Sequence, residues 1–281
     1  MPERWILFSI GVVTFTLAAY AGWRVRPQSR WGVVALLSLC LVPVLARAYF
    51  LAFPALESQF LTLELYPLLR GWWTVPFTIA LFLAAAPHMS SQRARVGLVA
   101  LGGVFWIIGT DRLLATAVVD VRSMTGVVAR DGVCRQTTGY TCGAAVAATL
   151  LHHYEIETDE AEMAQLCWTS SHTGTDEYCL VRGLGKKLNG FAREAVIAPA
   201  SWEALLQARD PVAVTIALRP TVDHWVVVFR ATEQWVLIGD PLEGRRLVRA
   251  DRFRDLWRGR VVEIRRSAIA RSKLVDAPRS R

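Results

Sequence analysis

The chain has 281 residues, 53% of them apolar, with a formal net charge of +8. That composition is not that of an ordinary soluble protein, and five cysteines are too few for a disulfide scaffold of this length. Greasy and basic parts are segregated: residues 1–118 hold nearly all the long apolar runs, and 119–281 read as a soluble domain with a basic C-terminal end. The basic excess by itself fits anionic headgroups, nucleic acid or a merely solvated surface.

A membrane-spanning helix needs about 20 mostly apolar residues. The first part of the chain offers four such segments, about 5–23, 31–53, 71–87 and 96–119, which predict a four-helix transmembrane region. The first lacks a small-x-small cleavage site and is followed by three more apolar segments, so it reads as a span and not as a signal peptide. Cys40 lies inside the second segment and reads as a buried apolar residue. Trp5, Trp23, Trp31, Trp72 and Trp73 stand at segment ends, where interfacial anchors are found, and Arg47 can snorkel to its end of the second segment. Loops one and three carry Arg24, Arg26, Arg30, Arg93 and Arg95, whereas the loop 54–70 carries Glu57 and Glu64 against Arg70. The positive-inside rule then places loops one and three in the cytosol, both termini outside, and the soluble domain on the outer, periplasmic face of a bacterial cytoplasmic membrane.

Residues 119–133 read as a linker, 134–266 as an α+β domain and 267–281 as a basic tail. "CGAAVAATLLHHY" predicts one helix and "TDEAEMAQLCW" a second, with Thr158 as its N-cap. "TDEYCLVRGLGKKL" predicts a third, stopped by Asn189-Gly190, and "SWEALLQA" a fourth, capped by Ser201. The period then shifts. "PVAVTIAL", "HWVVVFRA", "QWVLIGD", "RRLVRA" and "RVVEIRR" are β-branched runs bounded by turn residues, with a short helix or turn at "RFRDLWRG". Helices first and antiparallel strands second predict an α+β fold with helices packed on an antiparallel sheet.

Cys142 stands where a polar loop meets the first helix. Unpaired N–H groups and the helix dipole there favour a thiolate. A cysteine nucleophile needs a base, and the base needs an orienting partner. His152 and His153 lie about three turns along the same helix, too far from its start, and His172 sits in a Ser/Thr/Gly loop. His224 opens the strand "HWVVVF". Antiparallel pairing with "QWVLIGD" returns Asp240 to its side. Gln136, six residues before the cysteine, can offer its amide to an oxyanion, together with the Cys142 backbone N–H.

These residues carry a resemblance. A glutamine six before Thr-Cys-Gly, "TSSHTGT" after the second helix, a strand opening His-aromatic-Val-Val-Val, and "DPLEG" sixteen residues beyond that histidine occur in one order. Over about 131–264 the chain resembles the double-glycine leader peptidases that process bacteriocin precursors, which are papain-like cysteine peptidases. The resemblance implies Cys142 as nucleophile, His224 as base, Asp240 as orienting acid and Gln136 as oxyanion donor. It does not cover residues 1–118, and no G-x-x-x-x-G-K-[ST] is present. Leader peptidases fused to transporters act in the cytosol, which opposes the sidedness read from the loops.

The expectation is a membrane-anchored cysteine peptidase acting on exported or membrane-associated polypeptides. A papain-like module that binds a peptide without cutting it, and an acyltransferase with the same triad, are the alternatives. The expected partners are a polypeptide substrate and the lipid bilayer, with no nucleic acid, no cofactor and no metal, since no Cys/His spacing resembles a zinc site. Of Cys134, Cys167 and Cys179, a Cys134–Cys167 disulfide is the preferred pair on an oxidising face, with simple burial the other reading.

Overall fold

The computed structural model describes residues 2–24, 30–52 and 74–267. The acidic loop 54–70, Arg26, Trp72, Trp73, the side chain of Arg47 and the basic tail beyond Ser267 lie outside the described residues. The chain divides into two units, Met1–Val118 and Val119–Arg281.

The first unit contains α1 (Pro2–Arg24), α2 (Arg30–Ala52), α3 (Val75–Ala85), a 3₁₀ turn at Ala86–His88, and α4 (Gln92–Ala117). Each of the four apolar segments thus contains a helix. Two stretches, Arg4–Arg24 and Gln92–Ala117, are long and apolar enough to cross a membrane; Val34–Ala46 and Val75–His88 are apolar but shorter. The four-span expectation is therefore met in full by only two of these helices. Pro43 interrupts the α2 sequence, and α3 has only 11 residues. Phe15 of α1, Val75 and Ile79 of α3, and Leu113 of α4 form the core of this unit. Close approach there uses small residues: a Cβ at Gly109 would collide with Phe15 and Val75. Trp5, Ile10, Val13 and Leu17 on α1, and Val96, Val104 and Ile107 on α4, stay exposed.

The second unit opens with a 3₁₀ turn at Val121–Ser123, followed by α5 (Cys142–His153), α6 (Glu160–Leu166), α7 (Glu177–Lys187), β1 (Arg193–Ile197), α8 (Trp202–Gln207), β2 (Val212–Arg219), β3 (Val222–Ala231), β4 (Trp235–Asp240), β5 (Gly244–Arg249), α9 (Ala250–Leu256) and β6 (Trp257–Arg266). The strands form one sheet in the order β1-β6-β2-β3-β4-β5. Every pairing in it is antiparallel. Asp159, and not Thr158, caps α6: its Oδ1 accepts the Glu162 N–H at 2.7 Å, while the Thr158 hydroxyl donates to the Glu162 carboxylate. Asp176 caps α7 and Ser201 caps α8 through the same kind of bond.

The sheet is covered on both faces, which explains why its central strands read as unbroken apolar runs. One core joins α5, α6 and α7 to Ala213, Trp225, Val227, Val262 and Ile264 of the sheet. The other joins Val214, Val226, Val228 and Ile238 to Leu205 of α8 and to Ala250 and Phe253 of α9. Residues 144–148 of α5 are Ala-Ala-Val-Ala-Ala, all fully buried, so the helix backbone lies close upon the sheet. Leu150 and Leu151, also fully buried, each add roughly 1.5–3 kcal/mol of apolar burial. At the other end of α5, Gly143 is required by close approach. A Cβ there would stand 2.7 Å from the Cβ of Thr175. Thr175 is held in turn, because its carbonyl accepts the Trp225 indole N–H at 2.7 Å. The start of α5 is thereby fixed against β3.

Candidate active site

Cys142 is the first residue of α5 and 9% exposed. The N-cap Thr141 gives the helix no side-chain bond. Its hydroxyl instead lies 3.2 Å from the Thr138 carbonyl, tying down the loop before the cysteine. The first N–H groups of α5 thus remain open to an anion.

His224 is the third residue of β3 and Asp240 the last of β4. The register pairs Val227 with Gly239 and Val228 with Ile238, so the two polar residues emerge at the same end of the hairpin. His224 Nε2 lies 2.8 Å from Asp240 Oδ1, with the residues 2% and 3% exposed. Asp240 Oδ1 also accepts the Leu242 N–H at 2.9 Å, and Oδ2 pairs with the Arg246 guanidinium at 3.0 Å. Arg246, on the outer strand β5, is a member of this array that the sequence reading missed. The signal was its spacing of six residues from Asp240 across a tight β4–β5 turn.

With Nε2 committed to Asp240, Nδ1 is the ring nitrogen left for Cys142, whose interaction with the ring is among the causes that raise the His224 pKa. Burial alone lowers the imidazole pKa. Hydrogen bonds and charge from Asp240 and Cys142 outweigh it and raise His224 to about 9. Burial likewise raises the carboxyl pKa of Asp240, but His224, the Leu242 N–H and Arg246 bring it below the usual carboxylate range. Cys142, the His224 imidazole and the Asp240 carboxylate are thus gathered at one place, and the imidazolium is the favoured form of His224.

The backbone N–H of Gln136 donates to the Pro241 carbonyl at 3.1 Å, so Gln136 adjoins the Asp240 turn. Its Nε2 donates to the Thr138 carbonyl at 2.7 Å, and its Oε1 is buried without a partner. Exchanging the two amide atoms would set oxygen against oxygen, so this orientation is fixed, and one N–H of the amide remains to be used. The other histidines of this unit stay apart: His152, His153 and His172 are exposed.

All five cysteines are free thiols, so the Cys134–Cys167 disulfide is not formed and burial is the reading that holds. Cys167 packs against Gly183 of α7. Cys134 is held as a neutral thiol: burial, with the negative charges of Glu160 and Asp159, pushes its pKa up to about 12. Among the described residues no His, Cys, Asp and Glu cluster is arranged to hold a metal ion.

Comparison with known proteins bears on the same segment. Residues 130–268 match the profile of the Peptidase C39 family. The chain is 30% identical over 139 residues to the probable functional amyloid protease FapD of Pseudomonas fluorescens, covering 46% of this chain and 58% of that protein. It thus spans less than two thirds of that relative. An uncharacterised protein of Methanothermobacter marburgensis is 28% identical over 152 residues, covering 53% of this chain and 96% of that one. Among solved structures, the peptidase domain of Streptococcus ComA, a bi-functional ABC transporter of a quorum-sensing pathway, is 24% identical with a TM-score of 0.42, over 47% of this chain and 96% of that one. A double glycine motif protease of an AMS/PCAT transporter, solved with the leader peptide, is 20% identical with a TM-score of 0.41, over 48% and 91%. Profile, element order and paired sheet agree on one assignment: the segment 130–268 of this chain is a papain-like domain belonging to the peptidase C39 family.

Proposed function

We propose that this chain is a membrane-anchored cysteine peptidase that hydrolyses peptide bonds of exported or membrane-associated polypeptides. The observation that carries the reading is the buried line Cys142–His224–Asp240 at the open start of α5, inside a peptidase C39 domain. Cys142 Sγ, as thiolate, attacks the scissile carbonyl carbon. The oxyanion is received by the Cys142 backbone N–H and the spare N–H of Gln136 Nε2. Collapse breaks the C–N bond, and His224 delivers its Nδ1 proton to the leaving amine, which leaves a thioester. The neutral imidazole then takes a proton from water, the hydroxide attacks the thioester, and the carboxylic acid departs as the thiolate–imidazolium pair is restored. Asp240 holds the ring through Nε2 throughout.

The anchor is the four-helix region of residues 1–118, of which Arg4–Arg24 and Gln92–Ala117 supply the two full-length apolar helices. The arginines of loops one and three put the peptidase domain on the outer face of the membrane. A substrate already in or beyond the bilayer suits this arrangement, and the relative FapD, by its name a probable functional amyloid protease, is in keeping with it. The test is kinetic. Full-length chain in detergent is assayed on a fluorogenic Gly-Gly-aminomethylcoumarin peptide. Turnover is expected for the parent chain and none for Cys142→Ala or His224→Ala, with circular dichroism unchanged. Full activity of Cys142→Ala would end the peptidase reading.

A further inference from the structure

Glu160 is the first residue of α6, where an acid ordinarily sits at the surface and serves the helix N-terminus. Here Asp159 does the capping, and the Glu160 carboxylate is 0% exposed. Complete burial of a carboxylate costs several kcal/mol unless hydrogen bonds replace the lost water. Three do so. Oε1 accepts the Thr137 N–H at 2.8 Å, and Oε2 accepts the Thr137 hydroxyl at 2.6 Å and the Gly126 N–H at 3.1 Å. The Glu160 N–H donates back to the Gly126 carbonyl at 3.1 Å. Gly126 is shaped to this contact, because a Cβ there would collide with the Arg135 carbonyl and the Glu160 carboxylate.

The residue held on both its main-chain and side-chain donors is Thr137, next to Gln136. The Gln136 N–H is tied on its other side to Pro241, and its amide is aimed by the Thr138 carbonyl. A buried charge thus fixes the backbone between the two anchors of Gln136, one at the Asp240 turn and one at α6. The thiol–imidazole–carboxylate line makes no bond to Glu160. We infer that Glu160 is a positioning residue for the oxyanion donor: through Thr137 it sets the Gln136 amide where charge develops on the substrate carbonyl, and it leaves the reactivity of the Cys142–His224 pair untouched. This rests on the peptidase reading above. Its carboxylate accepts all three hydrogen bonds, whereas the amide of a glutamine would turn an N–H₂ toward at least one donor.

The test uses the full-length chain with two readouts. Turnover of the Gly-Gly-aminomethylcoumarin peptide requires the oxyanion donor. Alkylation of Cys142 by iodoacetamide, followed by mass spectrometry, requires only the thiolate and its histidine. Glu160→Gln is expected to lower kcat by about tenfold to a hundredfold, as misplacement of a catalytic group by ~1 Å does. KM and the alkylation rate are expected to stay at the parent values. In the Gln136→Ala background the same change is expected to cost nothing further. Thr137→Val, at an exposed position, removes only the hydroxyl donor. It is expected to lower kcat in the same non-additive way and decides the matter if Glu160→Gln fails to fold. Losses that multiply with Gln136→Ala, an alkylation rate that falls along with kcat, or an unchanged kcat would each overturn the inference. An active parent chain with any of these results sinks the inference alone, whereas an inert parent chain sinks the peptidase reading and the inference together.

Discussion

Replacing Asp240 by Asn keeps the shape of the side chain and removes its charge. In the structure His224 stands at about 9 against an ordinary 6.5, a difference of about 2.5 units. At ~1.36 kcal/mol per unit, roughly 3 kcal/mol favours the imidazolium over its neutral form. Burial opposes this preference, so the Asp240 and Cys142 interactions together supply more than the net figure. The sign follows directly. A raised pKa means the imidazolium persists below about 9 and is lost as pH rises through that value, so turnover is expected to decline on an alkaline limb near 9. Without the Asp240 charge, burial remains while a main support of the cation is gone. The limb is then expected to move down by at least about one unit, which alone makes roughly a threefold loss midway between the two limbs and approaches about tenfold above both. Misorientation of the ring is expected to deepen the loss and leave a small residual rate. Stability at neutral pH is expected to fall by about 1.5–3 kcal/mol, the range for a buried hydrogen bond to a charged group. The Asp240 pKa is depressed, so its contribution is present above the ordinary carboxylate range and is lost as pH falls into the acid range. The urea midpoint of the variant should therefore depend less on pH below ~4 than that of the parent. The assay is a pH–rate profile of kcat/KM on the parent and Asp240→Asn, each checked by urea titration. An alkaline limb at the same pH in both proteins would refute the reasoning.

Gln136→Ala is expected to reduce kcat by about 10²–10³ with little change in KM if its spare N–H has the proposed role in the transition state; a change confined to KM would speak against that role. Gly143→Val puts branched carbon where Thr175 already stands, and is expected to destabilise the domain by about 1–3 kcal/mol in a urea titration and to displace Cys142. Paired reporter fusions after Arg281 are expected to give an active periplasmic reporter and a silent cytosolic one; the reverse pattern would invert the topology.

The helices and strands around the site were legible because their local signals agree with the tertiary fold. "HWVVVF" is buried on both faces and reads as an unbroken strand, and "QWVLIGD" four residues past it completes a hairpin whose arithmetic brings Asp240 to His224. β1 was missed for the opposite reason. "REAVI" is a half-exposed edge strand whose one partner among the described residues, β6, lies about 70 residues away, so nothing in its own residues demands pairing. Thr158 and Asp159 are both good cap residues, and only the backbone geometry selects the second. Glu160 looked like one more acid in a first turn, since burial of a charge comes from residues 126 and 137, remote in sequence. Arg246 stands on an outer strand, and its pairing with the buried Asp240 carboxylate depends on the β4–β5 turn that brings the two together. Of the four spans read from composition, two correspond, among the described residues, to helices long and apolar enough to cross a bilayer, and α3, with 11 residues, is the shortest of the four helices.

The most direct test of the central claim is to ask which atom reacts. The full-length chain is incubated with a peptidyl vinyl sulfone ending in Gly-Gly, digested, and mapped by mass spectrometry. A single adduct on Cys142 is expected, absent in His224→Ala, with Cys40, Cys134, Cys167 and Cys179 unmodified. No adduct, or adducts confined to the other cysteines, would contradict the account and favour a papain-like domain that holds peptides without cutting them.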